Sequence, residues 1–354
     1  MAATIRDVAK RAGVSVATVS RLVNDTGRVR DETAERVRAA IADLGFRPNA
    51  VGRSLSTAHT RSLGIVIPSL SNPVFADAVA GINAEARAAG YTLMFTSTDY
   101  APEEELRTVS ALLEYRVDGL ILTVADPADN PVLDLLQAAG VPYVLIYNQP
   151  CPRNHPTVTV DNVAAGREVA LALAALGHRR LGMVSGTFTA SDRAAARRDG
   201  FLAGCAEAGL PAPRVLEVDF VTPHLDRVLA PVYGDRAAAP TALFCSNDLL
   251  AISVIGALGR LGLKVPGDVS VIGFDGIAVG THLHPTLATV IQPSHGMGRA
   301  ATRQLLDRLA GEDRPATEIL PHTLRLGESA GPAAKPSPAD LQNPHQPIQR
   351  RSPS

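Results

Sequence analysis

Residues 4–24 read TIRDVAKRAGVSVATVSRLVN, and this stretch decides how the rest of the chain is interpreted. Thr4 is placed to cap a first helix, Gly13 allows that helix to stop sharply, and Ser15 is placed to cap a second helix over 16–24. Two short helices joined by a glycine-containing turn are typical of a helix-turn-helix motif, whose second helix enters the major groove of DNA. An ordinary helical hairpin would show the same pattern.

The second helix has an inward and an outward face. Apolar spacing turns Val19, Leu22 and Val23 inward. The residues left on or near the surface are Val16, Ala17, Thr18, Ser20 and Arg21. Small side chains beside a basic one complete the helix-turn-helix pattern. For a generic stretch the helical hairpin would still be favoured, and the observations that follow reverse that choice in favour of the helix-turn-helix.

The charge distribution supports the same interpretation. Residues 1–61 carry eleven Lys/Arg and six Asp/Glu, a net charge of +5, whereas the remaining residues carry −6. A third helix predicted over 32–44, with Asp31 placed to cap it, completes a three-helix headpiece over 1–48. A basic N-terminal unit on an acidic body is typical of a nucleic-acid reader carried by a separate scaffold.

Residues 49–61 follow as a predicted hinge. A helix through about residue 57 would be too short to be stable alone in water, so we expect it to fold only on DNA. Arg53 and Leu55 lie in this segment, and Leu55 is an apolar side chain suited to insertion between base pairs in the minor groove. For a generic sequence a plain linker would be the better interpretation. Arg53, Leu55 and the resemblance described below favour the hinge helix here.

From residue 62 the sequence alternates between apolar strands and helices, which predicts parallel sheets with right-handed crossovers. Two such series predict an α/β body of two doubly wound parallel-sheet subdomains over 62–330, with residues 287–293 returning to the first one. The predicted boundaries are about 62–160 plus 290–318 for the N-subdomain and about 161–289 plus 319–330 for the C-subdomain. Residues 331–354 contain six prolines and no apolar period, so a disordered tail is predicted there.

Ligands of such sheets bind beyond the carboxyl ends of the strands, so residues at predicted strand ends are the candidates for a small-molecule site. They are Ser69, Asn72, Phe75, Tyr147, Asn148, Arg197, Phe220, Asn247 and Asp275. Guanidinium, carboxylate and amide groups beside an apolar ring suit a hydroxyl-bearing ligand. Singly, each residue would more simply be a helix cap or a surface residue. Their common location at strand ends favours a shared binding site.

Composition and motifs argue against other classes of protein. Of 354 residues, 46% are hydrophobic and 19% charged, and no apolar run approaches the ~18 residues of a membrane helix. The N-terminus shows no signal-peptide pattern and the three cysteines are scattered, which predicts a cytoplasmic protein without disulfides. Phosphate-binding glycine loops and nucleophile elbows are missing, and the His282/His284 pair has no partner at ligand spacing. No catalytic residue, metal or cofactor is therefore predicted.

Several segments resemble the lactose/purine repressor (LacI-type) family. The resemblance is close over residues 4–61 and looser to about residue 326. Its most specific segments are the headpiece, HTRSLGIVIP, ALGHRRLGMVSG, RRDGF, PTALFCSND and VPGDVSVIGFD. The resemblance implies a body like that of a periplasmic sugar-binding protein, which dimerises and in which a small molecule in the cleft changes the affinity for DNA.

The resemblance also implies roles for single residues. Bases would be read by Val16, Ala17 and Arg21, with Arg21 suited to a guanine. Phosphates or the helix register would be held by Thr4, Ser15, Thr18, Ser20 and Asn24. The most typical effector contacts are matched by Arg197 and Asp275, and frequent ones by Asn72, Phe75, Phe220 and Asn247. Tyr147 departs from the family pattern, because an acidic or amide residue often stands there, and this leaves the effector's identity open.

These observations predict a DNA-binding transcriptional regulator, in the first place a repressor, that acts as a homodimer at the bacterial nucleoid, with a tetramer left open. It would bind a pseudo-palindromic operator in double-stranded DNA and respond to a sugar or sugar-like effector. A nucleoside- or purine-responsive regulator is the first alternative. A solute-binding protein and a sugar-processing enzyme are disfavoured.

Overall fold

The computed structural model describes residues 3–24, 27–46, 60–220, 224–312 and 317–334. The predicted hinge helix with Arg53 and Leu55, the side chain of Asn24, and residues 335–354 of the predicted tail lie outside the described residues. The chain divides into two compact units, Met1–Ser62 with Arg116–Asp118, and Leu63–Tyr115 with Gly119–Ser354.

The described residues of the first unit form three helices, α1 (Ile5–Ala12), α2 (Val16–Asn24) and α3 (Asp31–Leu44). Its core is formed by small and branched apolar side chains from all three helices: Val8, Ala9, Ala12, Val19, Val37 and Ala40. Leu22 and Val23 are half-buried against this core, in agreement with their predicted inward spacing. Because none of these helices is long enough to be stable alone, each depends on packing its apolar stripe against the other two.

The helix ends follow the predicted capping chemistry at α1 and differ from it at α3. Thr4 and Asp7 form a reciprocal capping box, and Gly13 ends α1 with a φ of 66°. The prediction that Asp31 caps α3 is wrong, because α3 begins at Asp31 itself and Arg30 in the cap position makes no side-chain hydrogen bond. Asp31 instead places negative charge in the first turn, where the helix dipole favours it.

The rest of the described chain forms two lobes of alternating strands and helices. Residues 62–160 form β1 (Ser62–Ile67), α4 (Pro73–Ala88), β2 (Thr92–Ser97), α5 (Pro102–Glu114), β3 (Gly119–Leu122), α6 (Pro131–Ala138), β4 (Tyr143–Ile146) and β5 (Thr157–Val160). Residues 161–291 form α7 (Asn162–Ala175), β6 (Leu181–Gly186), α8 (Asp192–Glu207), β7 (Arg214–Val218), α9 (Leu225–Tyr233), β8 (Ala242–Cys245), α10 (Asp248–Arg260), β9 (Ser270–Asp275) and β10 (Ala288–Ile291). The chain then adds α11 (Ser294–Leu309), β11 (Thr317–Leu320) and β12 (Thr323–Arg325).

Each lobe has one six-stranded sheet, with the strand order β11-β5-β4-β3-β1-β2 in the first and β12-β10-β9-β8-β6-β7 in the second. The central strands pair in parallel, whereas β12 pairs antiparallel with β10. Strands β3, β4, β5 and β8 are buried along their whole length, as expected for parallel strands covered on both faces. This confirms the predicted pair of doubly wound lobes. Among the described residues, no helix combines the length and the apolarity that a membrane span requires.

The strand predicted over 287–293 was assigned to the wrong sheet. Ala288–Ile291 pairs in parallel with β9, so β10 belongs to the second lobe. The chain returns to the first lobe later, through α11, which packs against α4, and through β11, which pairs with β5. An apolar run predicts a buried strand but does not indicate which sheet takes it up.

The disordered tail was predicted to begin at residue 331, and this start is wrong because residues 331 and 333 are hydrogen-bonded to the second lobe. The Gly331 N–H donates to Ser270 Oγ at 3.0 Å, and the Ala333 N–H donates to the Leu176 carbonyl at 2.9 Å. Nε2 of the buried His178 lies 3.0 Å from the carbonyl oxygen of Gly331. A proline-rich composition indicates that a segment lacks apolar core residues, but it does not reveal that its backbone is hydrogen-bonded to a lobe.

Candidate functional site

The candidate DNA-reading surface is the outward face of α2. Ser15 caps this helix, since its hydroxyl accepts a hydrogen bond from a backbone N–H at 3.1 Å. Val19 is fully buried, whereas Val16 is 42% exposed and both Ala17 and Arg21 are exposed. The three residues that the resemblance assigns to base reading are therefore presented on a helix that Val19 anchors in the core.

Three of the hydroxyls predicted to contact phosphates lie at the N-terminal ends of α1 and α2. The Thr4 hydroxyl donates to the carboxylate of Asp7 at 2.7 Å, and the hydroxyls of Ser15 and Thr18 lie 2.9 Å apart. Ser20 is half-buried further along α2. Helix N-termini favour anions, so the phosphate-contacting role of the capping hydroxyls stays a prediction consistent with their position.

The candidate effector site is a cavity between the two lobes, lined by residues that follow strands of both sheets. It contains about 340 Å³ of space not filled by protein atoms, including its opening to solvent. Seven of the nine residues predicted from strand ends line it: Asn72, Phe75, Tyr147, Arg197, Phe220, Asn247 and Asp275. This location agrees with the general rule that ligands of open α/β sheets bind beyond the carboxyl ends of the strands.

Ser69 and Asn148 do not line the cavity, although both follow strands. The Ser69 hydroxyl lies 2.8 Å from the hydroxyl of Ser71. The Asn148 side chain makes two hydrogen bonds with the backbone of Val124, at 2.9 and 2.8 Å. Both residues hold loops at strand ends, because a polar side chain buried at such a place is satisfied by the nearest backbone groups.

Arg197 is buried on α8 and is held by partners on several sides. Its Nε donates to Asn162 Oδ1 at 2.7 Å, and its Nη1 donates to the Ser246 carbonyl at 2.5 Å. The guanidinium lies 3.5 Å from the centroid of the Phe274 ring and 4.0 Å from the Asp275 carboxylate. Burial lowers the pKa of Arg197 to about 10, so the side chain remains cationic at neutral pH. Its position is therefore fixed within the protein itself.

Asp275 is the carboxylate that faces Arg197, and it connects the two lobes. Its Oδ2 accepts a hydrogen bond from Asn72 of the first lobe at 3.2 Å, and its Oδ1 accepts one from Gln292 at 2.8 Å. Burial raises the pKa of Asp275 to about 6, and the neighbouring Arg197 limits this rise. The φ of Asp275 is 123°, a backbone conformation that residues with a side chain rarely adopt and that is typical of functional sites.

Asp248 has a larger structural role than the first-turn charge that its sequence position suggested. Its Oδ2 accepts hydrogen bonds from the N–H groups of Gly276 and Ile277, both at 2.8 Å, and its Oδ1 accepts one from the Thr289 hydroxyl at 2.6 Å. Burial and the nearby charge of Asp275 raise its pKa to about 7. Asp248 therefore holds the turn that follows Asp275 and fixes the direction of that carboxylate.

The first lobe contributes mainly aromatic rings to the cavity. The rings of Phe75 and Tyr147 meet edge to face, with centroids 5.4 Å apart. The Tyr147 hydroxyl donates to the Val74 carbonyl at 3.0 Å, and burial raises the pKa of Tyr147. Tyr147 has a φ of 73°, which directs its ring from the end of β4 to α4. At this departure from the family pattern, an aromatic ring therefore stands in place of a polar ligand contact.

The cavity also contains residues that were not predicted from the sequence. They are Val74, Tyr100, Ser191, Arg193, Ala194, Ser246 and Gln292. Arg193 lies one helical turn before Arg197, so the i, i+4 spacing on α8 was a usable signal. Tyr100 follows β2 and Gln292 follows β10, so consistent use of the strand-end rule would have found them as well.

His282 and His284 were not expected to bind a metal. Nowhere in the described ranges are His, Cys, Asp or Glu side chains grouped in a way that could hold a metal ion. His284 Nδ1 instead lies 3.2 Å from Glu328 Oε2 in an exposed turn before Pro285.

Two family models match this chain. One is described as bacterial regulatory proteins of the lacI family and matches residues 4–49, and the other is described as a periplasmic binding protein-like domain and matches residues 170–330. The HTH-type transcriptional repressor PurR of Klebsiella pneumoniae (strain 342) is 33% identical over 323 residues. These residues cover 90% of this chain and 94% of that protein.

Solved structures match the architecture of both units. The lac repressor dimer bound to operator and the anti-inducer ONPF aligns with a TM-score of 0.82 and 26% identity over 93% of this chain and 99% of that one. The complex of the transcriptional regulator CelR with cellobiose aligns with a TM-score of 0.68 and 29% identity over 93% and 100% of the two chains. With a helix-turn-helix unit, a two-lobed body and a relative matched over nearly its full length, this chain belongs to the lacI family of bacterial regulatory proteins.

Proposed function

We propose that this protein is a transcriptional repressor that binds a pseudo-palindromic operator through α2 and is controlled by a small molecule in the inter-lobe cavity. The proposed DNA binding is supported mainly by the exposed face of α2, where Arg21 lies on a helix anchored by the buried Val19. An arginine presented in this way donates two hydrogen bonds to a guanine in the major groove. The operator-bound dimer among the similar structures supports a homodimer for this chain, and a tetramer is compatible with the same interface to DNA.

The effector that best matches the groups lining the cavity is a neutral, hydroxyl-rich molecule, and we propose a sugar. The two buried arginines at the cavity are each paired with a carboxylate, Arg197 with Asp275 and Arg193 with Asp192. These pairs therefore do not form a binding site for a charged ligand. Guanidinium, carboxylate and amide groups supply donors and acceptors for hydroxyls, while Phe75 and the other rings cover an apolar sugar face.

A purine or nucleoside is the second candidate. The rings of Tyr100 and Phe220 stack with centroids 3.9 Å apart and planes 9° from parallel. This stack shows that a flat ring fits against Phe220, and a nucleobase that displaced Tyr100 would find Arg197 and Asp275 in the same cavity.

Effector binding would change the operator affinity through the arrangement of the two lobes. A typical coupling of ~1–3 kcal/mol corresponds to a change of roughly 5- to 150-fold in the dissociation constant for the operator. Because the target is chromosomal DNA, we place the protein in the bacterial cytoplasm at the nucleoid. The effector binds and leaves unchanged, so we propose no enzymatic activity and no cofactor.

The DNA-binding part is tested by a mobility shift with the DNA upstream of the protein's own gene. We expect a retarded complex that survives an excess of random duplex. If random duplex competes as well as the upstream DNA, with and without the sugar and nucleoside panels described next, the proposal of a specific operator is wrong.

The effector is tested by the thermal stability of the full chain with a panel of sugars and a panel of purines and nucleosides. A ligand at about 100 times its dissociation constant adds ~2.7 kcal/mol to the free energy of unfolding, which is easily measured. Phe220→Ala removes a lining ring and should weaken the response, whereas Phe188→Ala, outside this cavity, should leave it unchanged. A response to the second panel alone would replace the sugar with a purine-type effector.

A further inference from the structure

The cavity between the lobes is almost filled by the protein's own side chains. The space that the centre of a water molecule can reach is about 20 Å³, which is enough for about one water molecule. Ligand pockets typically provide ~300–1,000 Å³, so neither a sugar ring nor a purine can enter the cavity in the arrangement described. A side chain must therefore move before the proposed effector can bind.

The side chain that stands where a ligand ring would stack is Tyr100. It follows β2 of the first lobe, and its ring lies on that of Phe220, which follows β7 of the second lobe. The two planes are 9° from parallel and the centroids are 3.9 Å apart, so no third ring fits between them. Both side chains are half-buried, which places the stack on the solvent side of the cavity.

The hydroxyl of Tyr100 makes contacts of the kind expected for a ligand hydroxyl. Its hydrogen-bond partner is the side chain of Asn72, which also donates to Asp275 at 3.2 Å. Burial raises the pKa of Tyr100 to about 12, so the hydroxyl is protonated at neutral pH and can donate. Tyr100 thus combines a ring stacked on Phe220 with a hydroxyl among the polar lining groups, the two features that the proposed effector needs.

Of the two rings in the stack, Tyr100 is the one that can withdraw. A Cβ atom at Gly186 would come within 2.4 Å of the Phe220 ring, so this ring packs directly against the glycine and has no space on that side. Asp99 and Tyr100 both have positive φ angles, 50° and 60°, which are unfavourable for residues with a side chain. Such strained backbone is typical of switch regions, and changes in these two residues would release the ring without moving β2 or the helix that follows.

We infer that Tyr100 occupies the effector's own position on Phe220, and that the effector binds by displacing it. This inference rests on the proposed function, in which the cavity binds a small molecule. Because the stack joins the first lobe to the second, its displacement removes one link between them. Effector binding is thereby connected to the arrangement of the lobes.

The inference predicts that loss of a residue lining the cavity strengthens binding. The test is titration calorimetry of the full chain with glucose, galactose, xylose, ribose, adenine and guanosine. A probe that binds the wild type should bind Tyr100→Ala at least about threefold more tightly, the gain expected where the ring covers the position in about two thirds of the molecules or more. Tyr100→Phe keeps the ring and should bind the same probe less tightly than Tyr100→Ala.

The opposite sign would overturn the inference. If Tyr100→Ala binds such a probe as tightly as the wild type does, or more weakly, Tyr100 is an ordinary contact and not a competitor of the effector. Tyr115→Ala removes an exposed tyrosine of the same lobe. It should leave the affinity of every probe unchanged, which controls for unspecific effects of losing a tyrosine.

A second measurement uses the tyrosine side chain itself as the probe and does not depend on the identity of the effector. We expect p-cresol to bind Tyr100→Ala, in the space that the ring has left, and to show no measurable binding to the wild type. Adding Phe220→Ala should abolish this binding, and any sugar or purine that binds Tyr100→Ala should compete with p-cresol. Failure of p-cresol to bind Tyr100→Ala, equal binding to the wild type, or simultaneous binding with a sugar or purine would overturn the inference.

The two measurements together separate this inference from the proposed function. If p-cresol binds Tyr100→Ala alone, but none of the sugars and purines binds either protein, the proposed classes of effector are wrong. The position on Phe220 would then still be the one that Tyr100 occupies, and its ligand would belong to another class of ring compound.

Discussion

On α2, the side chains proposed to read bases are exposed on a fixed backbone, whereas in the inter-lobe cavity most of the side chains proposed to contact the effector are buried and held by neighbouring protein groups. Val16 is 42% exposed, and Asp275 is 5% exposed. Arg21 is exposed, whereas Arg197 has hydrogen bonds to Asn162 and Ser246 as well as a ring beneath it. The two regions use the same residue type, arginine, in opposite surroundings.

The difference in burial between the two arginines follows from the kind of ligand that each is proposed to bind. DNA is a polyanion that attracts surface cations over a distance, so a DNA-contacting arginine needs no pre-formed partner. A small ligand in a buried site must replace hydrogen bonds one for one, since any group left unpaired there is costly. Changes in the cavity should therefore affect folding and effector binding together, whereas changes on the α2 face should affect DNA binding alone.

The largest effect that tests this contrast is expected for Arg197→Ala. The substitution leaves the buried carboxylate of Asp275 without its cationic neighbour and removes the donor to Asn162 and to the Ser246 carbonyl. We expect a loss of about 3–5 kcal/mol in the free energy of unfolding, measured by urea denaturation of the full chain.

Two comparisons decide whether the loss comes from the unpaired charge. Arg198→Ala removes the next arginine of α8, which is partly exposed and paired with Asp199, and should change the stability by less than about 1 kcal/mol. Arg197→Met combined with Asp275→Asn removes both charges and should be less destabilised than Arg197→Ala alone. If the double variant is instead the less stable one, packing rather than charge pairing holds this part of the cavity.

The next effect depends on pH and concerns Asp248. Its pKa is raised to about 7, so the folded protein binds this proton more tightly than the unfolded chain does. The stabilisation is complete below the ordinary pKa of an aspartate and is lost as the pH rises through 7. Relative to Asp248→Asn, the wild type should lose on the order of 2 kcal/mol between about pH 5 and pH 8, measured by urea denaturation across that range.

A companion variant sharpens the pH prediction. The Thr289 hydroxyl lowers the pKa of Asp248 by donating to Oδ1 at 2.6 Å. Thr289→Val should therefore move the same loss of stability to higher pH. A stability difference between wild type and Asp248→Asn that stays constant from pH 5 to 8 would mean that Asp248 is ionised throughout.

The headpiece could be predicted in detail because its signals are local. Ser15 and Gly13 are short-range capping residues, and the buried Val19 follows from spacing within one helix. The alternation of strands and helices in the body could be predicted equally well, since each parallel strand is a buried apolar run bounded by turn residues. In the cavity, Asn247 and Asp275 were found because the strand-end rule needs only the position of a strand.

What could not be predicted depends on contacts distant in sequence or on backbone angles. Whether β10 joins the first or the second sheet is decided by its pairing with β9, which its own residues do not encode. Tyr100 reaches Phe220 only because two successive residues adopt positive φ angles, a feature that neither residue type announces. Ser69 and Asn148 satisfied the strand-end rule yet bond to nearby loops.

On the α2 side of the comparison, Arg21→Ala should leave folding almost unchanged. The side chain is exposed, so we expect a change in stability within about 0.5 kcal/mol. Discrimination at a single operator base pair should fall by ~1–3 kcal/mol, measured by mobility shifts with every single-base variant of the operator. Equal selectivity at all positions after the substitution would show that α2 does not lie in the groove as proposed.

The smallest expected effect separates two roles of Ser15. Its hydroxyl caps α2 by accepting a backbone N–H at 3.1 Å, and it is also proposed to contact a phosphate. Ser15→Ala should reduce the headpiece stability by about 1 kcal/mol, whereas Ser15→Gly, a tolerated cap residue, should reduce it by only a few tenths.

Operator affinity then distinguishes the roles, because both variants lack the hydroxyl and only one loses the cap. Equal losses of affinity in Ser15→Ala and Ser15→Gly, with a shallower dependence on salt, indicate a direct phosphate contact. Near-normal affinity in Ser15→Gly alone indicates that Ser15 acts through the helix end. In that case the exposed DNA-contacting face of α2 begins at Val16. Ser15 would then resemble the buried residues of the cavity, because its hydroxyl would act by holding neighbouring protein groups in place and not by contacting DNA.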